Sequence, residues 1–217
     1  MDYLKEIDQQ EAHFGDMYDE LPLWSAAFGL RLLDRIPVRS GLTILDVGAG
    51  TGFLTLELAQ RCGSGTTVIA VDPWTAGMNR LRRKLEYLGL ANVKLLEHDA
   101  ADINLPDASV DVVASNLGIN NFENADAVMQ SLFRVAKPEA GLYLTTNLCG
   151  HMAEFYEVFH ATLIETGQND RLAVLEDHVQ HRGTIDSVSS MLDKAGFSVE
   201  DAETNSFQMR FADGSSL

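Results

Sequence analysis

The sequence predicts an α/β fold: a doubly wound, mostly parallel sheet with helices on both faces. Three observations carry this expectation. Short apolar runs rich in branched residues alternate with longer segments at helical spacing, the pattern of strands buried between helices. The chain has 217 residues, of which 46% are hydrophobic, enough for one domain with a sizeable core. No internal repeat, linker or low-complexity stretch divides it.

The first 40 residues read as helical. LWSAAFGLRLLDRI, Leu23 to Ile36, carries apolar residues at helical spacing and stops at Pro37. TILDV, Thr43 to Val47, is a short apolar run that breaks at Gly48 and reads as a buried strand. GFLTLELAQRC follows as a helix closed by Gly63 and Gly65. Thr66 to Asp72 is the second strand. TAGMNRLRRKLEYLG is a helix with Gly89 as its stop.

Asn92 to Asp99 is the third strand and SVDVVASN the fourth. ENADAVMQSLFRVAK is a helix ended by Pro138, and GLYLTTNL is the fifth strand. Helical stretches are expected at roughly 151–166 and 184–195. FSVEDAETNSFQMRFADG alternates enough for a strand pair, which brings the expected sheet to seven strands.

Composition narrows the function classes. The formal net charge is −16, a field that repels phosphate backbones and anionic membranes. Neither nucleic acid nor membrane is an expected partner. The basic cluster Arg80, Arg82, Arg83 and Lys84 reads as a solvated helix face. No apolar run approaches the roughly 20 residues of a membrane span, and the acidic N-terminus lacks a signal-peptide pattern, so a cytoplasmic protein is expected. Cys62 and Cys149 stand far apart, so neither a disulfide framework nor a thiolate metal site is expected. His178 and His181 form HxxH, read as a solvated helix face rather than a metal pair.

In such a sheet, ligands bind beyond the carboxyl ends of the strands, near the switch in strand order. The first strand ends in Asp46-Val47-Gly48-Ala49-Gly50-Thr51-Gly52. Glycines there permit positive φ and let a ligand approach bare backbone, although a tight turn alone also needs them. The second strand ends in Asp72, twenty positions after Gly52. Its carboxylate can accept from both ribose hydroxyls of an adenosine, or cap the following helix. Asp99 ends the third strand and can accept from an adenine amino group, or sit in a turn. Asn116 ends the fourth.

Four suitable groups at four successive strand ends reach one crevice. A dinucleotide site calls for GxGxxG, whereas the glycines here run GxGxG behind the acidic Asp46. An acid so near disfavours a pyrophosphate and suits a ligand with an ammonium group.

LDVGAGTGFLTLELA resembles motif I of the class I S-adenosylmethionine (SAM) dependent methyltransferases. VDPW, HDAADINLPDASVDVVASN and LFRVAKPEAGLYLTT resemble later motifs of the same family, whose fold is Rossmann-like. The likeness covers roughly residues 40–150 well and 184–212 loosely, and is nearest to the small-molecule group that includes quinone-biosynthesis methyltransferases. It implies SAM as cofactor and a small-molecule acceptor.

By that resemblance, Gly48, Ala49, Gly50 and Gly52 admit the methionine part of SAM, and Asp46 helps hold its amino group. Asp72 holds the ribose, with Pro73 and Trp74 flanking it. Asp99 meets the adenine, Ala100 packs near the ring, and Asn116 lies by the methionine end. Glu139-Ala140 departs from the usual glycine after the proline, which touches a turn only.

Residues 1–40 are expected to form a helical cap, with Tyr18, Leu21, Pro22 and Trp24 as a lid or as packing on the sheet, and residues 41–217 the SAM-binding domain. The family often continues past its last strand, so either a truncated chain or an unusually short member is the expectation for a sequence that stops at ADGSSL. If the acceptor must lose a proton, His151 and His13 are the candidate bases, with an ordinary surface histidine the competing reading of His151. A non-catalytic SAM-binding module and a nicotinamide-dependent oxidoreductase are the competing readings.

Overall fold

A computed structural model describes residue 8, residues 12–19 and residues 23–213. Eight helices and five strands occur among them: α1 Ala12–Asp19, α2 Leu23–Arg35, β1 Thr43–Val47, α3 Phe53–Arg61, β2 Thr67–Val71, α4 Thr75–Leu88, β3 Val93–Leu96, β4 Val110–Asn116, α5 Ala125–Val135, β5 Ala136–Thr145, α6 Ala153–Glu165, α7 Leu172–Gln180 and α8 Ile185–Ala195. The strands form one parallel sheet in the order β3-β2-β1-β4-β5. The order reverses between β1 and β4, and their carboxyl ends frame the crevice expected at such a switch.

Side-chain alternation along the strands explains the two helical layers. Leu45, Val47, Ile69, Val71 and Val113 point to one face and meet Val128, Met129, Leu132 and Val135 of α5 and Leu192 of α8. Ile44, Val68, Val112 and Ala114 point to the other and meet α2 and α3. Met78, Leu81 and Leu85 of α4 cover Ala70 on that second face. Central strands buried on both sides need apolar residues at every position, hence runs such as TVIAV rather than alternation.

The sheet has five strands where seven were expected. Residues 197–211 join no strand or helix, and Val199, Phe207 and Phe211 are exposed. The physical reason lies in the pattern. One side of the alternation reads Phe197, Val199, Asp201, Glu203, Asn205, Phe207, so charge interrupts the apolar face a strand must bury. Asp201 and Glu203 instead pair with Arg35 of α2, and Phe28 of α2 meets Phe207 edge-on at 5.6 Å.

Two further differences are local. β5 begins at Ala136, not beyond Pro138, and its register with β4 slips between Val110 and Val112. The slip accommodates Pro138, which cannot donate to a ladder, and Glu139, whose φ is +70°. This irregularity sits at the amino end of β5, opposite the crevice. α7 gives bounds to the helix on which His178 was expected and places that residue beside α6, where Nε2 lies 3.0 Å from the Tyr156 hydroxyl.

Candidate functional site

The turn after β1 folds back over β2: the Gly48 and Ala49 N–H groups both donate to the Val71 carbonyl, at 2.9 and 3.1 Å. Gly48, Gly50 and Gly52 all have positive φ. Gly48 is pressed against the turn after β4, where an added Cβ would stand 2.8 Å from the Gly118 Cα. Gly50 is different: a Cβ there would meet only the Trp74 ring, at 4.0 Å. Backbone is thus left bare beneath an aromatic face, the opening a ligand would use.

Asp72 closes the other side. One carboxylate oxygen accepts from Gly50 N–H at 2.8 Å and the other from Trp74 N–H at 2.8 Å. Trp74 is the N-cap of α4 and has no side-chain cap, so Asp72 braces the two turns rather than capping the helix. Each oxygen keeps a second lone pair for a ribose hydroxyl. Burial pushes the Asp72 carboxyl up, and the two N–H groups pull it back. Pro73 is exposed beside it.

Asp46 lies beneath the first turn of α3, 1% exposed, and accepts from the Thr55 hydroxyl. Burial pushes its pKa up to about 7, opposed by Thr55 and reinforced by the Asp72 charge. Its field reaches the glycine turn from behind and not through open contact. Two carboxylates so close favour a cationic ligand group and oppose a diphosphate.

At the third strand end, Asp99 is exposed and accepts from Ala101 N–H at 2.8 Å, capping a short 3-10 turn over Ala100–Asp102. Ala100 is buried behind it. Asn116, at the end of β4, is hydrogen-bonded to protein through both amide atoms. Its Nδ2 donates to the Ser25 carbonyl of α2 at 3.0 Å, and its Oδ1 accepts from the Thr145 hydroxyl of β5 at 2.8 Å. The amide faces protein on both sides.

Of the N-terminal segment, α1 and α2 are described. Phe14 and Tyr18 of α1 meet Trp74 edge-on at 6.0 and 5.4 Å, so α1 stands against the wall of the crevice. Asp16 of α1 pairs with Arg80 and Arg83, and Arg82 pairs with Glu97, which accounts for three of the four clustered basic residues. Leu21 and Pro22, and the side chain of Trp24, lie outside the described residues. His13 is exposed on α1.

His151 sits half-buried in the turn between β5 and α6, its N–H bonded to the Leu148 carbonyl. Burial, and then the Arg182 charge, hold the imidazole below its ordinary value, hence neutral at pH 7. Close by, Thr146 donates to Asn120 at 2.8 Å. The Oδ1 of Asn147 is buried with no hydrogen-bond partner. Thr146, Asn147, His151 and Phe155 line one end of an open cleft along β5. None of these neighbours was legible as a site in the sequence, because Thr and Asn at a strand end are ordinary turn residues. Among the described residues no group of three or more potential metal ligands gathers, and no helix is long and apolar enough to cross a membrane.

Comparison with known proteins bears on the family and the fold. A family model described as a methyltransferase domain matches residues 38–204. The ubiquinone/menaquinone biosynthesis C-methyltransferase UbiE of Pseudoalteromonas translucida is 28% identical over 170 residues, covering 74% of this chain and 68% of its own. A SAM-dependent methyltransferase from Aquifex aeolicus superposes with a TM-score of 0.53 at 28% identity, over 59% of this chain and 68% of that one. A Haloferax volcanii methyltransferase, solved with the Trm112 methyltransferase activator, shares the fold at a TM-score of 0.68 and 20% identity, over 91% of this chain and 80% of that one. The glycine turn, the two buried carboxylates and the aromatic wall fit SAM, and the chain belongs to the methyltransferase domain family as a SAM-dependent methyltransferase.

Proposed function

We propose that this protein methylates a small hydroxylated acceptor of the quinone-precursor kind, in the cytoplasm, with residues 1–40 as a cap over the crevice. The observation that carries the acceptor class is the likeness to UbiE, named for ubiquinone and menaquinone biosynthesis, over 170 residues. Thr146 and Asn147 at the β5 end offer neutral hydrogen-bonding groups, which suit a hydroxylated acceptor. The net charge of −16 speaks against a nucleic-acid acceptor.

SAM, when bound, supplies a methyl group already activated on a sulfonium. Gly50 would leave room for its methionine part, Asp72 would hold the ribose, Trp74 would flank it, and Asp99 would meet the adenine. Asp46 stabilises positive charge at the methionine end. The protein's main work is then alignment and exclusion of water. His151, neutral at pH 7, takes the acceptor's proton at an imidazole nitrogen when the acceptor must lose one.

The test is transfer of label from methyl-labelled SAM to a panel of hydroquinones and phenols, with transfer RNA and a basic peptide alongside. Label in a hydroquinone is expected. Label in the RNA or peptide alone would contradict the acceptor class.

A further inference from the structure

Helix α2 packs closely where β4 ends and α3 begins. Gly29 has no Cβ; one built there would stand 2.2 Å from the Phe53 ring and 3.0 Å from Asn116 Nδ2. Phe53 opens α3 directly after the glycine turn, and Asn116 closes β4. One helical turn before Gly29, the Ser25 carbonyl accepts from Asn116. The other half of the Asn116 amide accepts from Thr145, whose hydroxyl oxygen also accepts from Leu117 N–H at 3.1 Å. Leu117 has φ +64° and opens the short turn Gly118–Asn121, whose first residue touches Gly48. A continuous chain of hydrogen bonds and backbone contact therefore joins α2, both strand ends and the glycine turn. α1 shares none of these bonds; it packs on α4, where Gly15 lies against the Ala76 carbonyl, and on Trp74, with surface ion pairs besides.

We propose that Asn116 is a positioning residue that fixes α2 as a static wall of the methionine end, so that within the cap only α1 moves when SAM enters or its product leaves. This deepens the reading of the crevice as the SAM site and rests on it. Fixing the wall sets where the methyl group points, since the Thr145–Leu117 bonds place the acceptor side by the same linkage. Asn116 suits the task because an amide supplies one donor and one acceptor in a plane; Asp or Leu offers half of that or none.

The experiment is hydrogen exchange on the whole chain, for wild type, Asn116→Ala, Thr145→Val and Thr145→Ser, with and without S-adenosylhomocysteine. In wild type, α2 amides should be as protected as those of α3 and unchanged by the ligand, while α1 gains protection on binding. Asn116→Ala should speed α2 exchange about tenfold and leave β1 and α5 unchanged. Thr145→Val should do the same more weakly, and Thr145→Ser, which keeps the hydroxyl, should restore the wild-type rate. The proposal is overturned if α2 exchange is unaltered in Asn116→Ala, if protection falls evenly in every element, or if α2 responds to ligand as α1 does. Failure of wild type to bind S-adenosylhomocysteine would sink the SAM-site reading instead, and the ligand-free rates would still decide the role of Asn116.

Discussion

The carboxylate of Asp72, at the end of β2, accepts the backbone N–H of Gly50 at 2.8 Å, across the turn that ends β1. That bond ties the two sequence motifs of the crevice together before any ligand arrives. It holds bare backbone and an acidic acceptor side by side under Trp74. Preorganisation of this kind lowers the ordering cost of binding.

Gly48→Ala should destabilise the fold by about 1–3 kcal/mol, because its φ is positive and the new methyl meets the Gly118 backbone, which cannot rotate aside. Gly50→Ala meets only the Trp74 ring and should cost less stability while weakening S-adenosylhomocysteine more. Thermal melts and titrations on both variants separate the two roles; equal losses in both would refute the distinction.

The pKa of Asp46, raised to about 7, has a thermodynamic signature. The folded protein holds a proton on Asp46 that the unfolded chain releases at a much lower pH. The native state therefore binds more protons across the window between the ordinary carboxylate value and about 7, and ligand-free stability falls as pH rises through it. A ligand ammonium favours the ionised form. S-adenosylhomocysteine should bind more tightly at about pH 8 than at about pH 6, with proton release at the lower pH. Calorimetry in buffers of different ionisation enthalpy reads that release, and pH-independent binding would exclude the carboxylate. Thr55→Val removes the hydrogen bond that favours the ionised form and should move the transition to higher pH.

Besides the packing of Gly15 on α4, the side-chain hold on α1 is more aromatic than ionic. Two edge-on contacts to Trp74 contribute about 0.5–1.5 kcal/mol each, whereas the exposed Asp16 pairs contribute about 0–1. Trp74→Ala should open α1 to proteolysis, and Asp16→Asn should leave its cleavage rate nearly unchanged. The reverse order would show the ion pairs to be the latch.

His151→Gln keeps a neutral polar side chain without a titratable nitrogen. On an acceptor that loses a proton, kcat should fall about 10²–10⁴-fold with little change in cofactor affinity. An unchanged kcat would leave His151 a surface residue.

Much of this was legible in the residues. TILDV and TVIAV announce strands buried on both faces because every position is apolar, or polar and bonded, as with Asp46. The glycine turn and Asp72 were readable because their spacing reflects one strand–helix–strand unit. Asn116 was readable as a strand end and not as a strut, since its partner Ser25 lies 91 positions away. The 197–211 segment misled because alternation was read without asking whether the apolar side stays apolar; Asp201 and Glu203 interrupt it and find Arg35. His151 owes its depressed pKa to burial and to Arg182, a neighbour that only the Leu148–Gly183 bridge brings near.

Calorimetric titration of wild type and Asp72→Ala with S-adenosylhomocysteine, with NAD in parallel, tests the crevice most directly. We expect micromolar binding of S-adenosylhomocysteine, weakened by about 1–3 kcal/mol in the variant as the ribose acceptors are lost, and no binding of NAD. Binding of NAD alone, or equal affinity of both proteins for S-adenosylhomocysteine, would contradict the assignment of Asp72 and of the turn it braces.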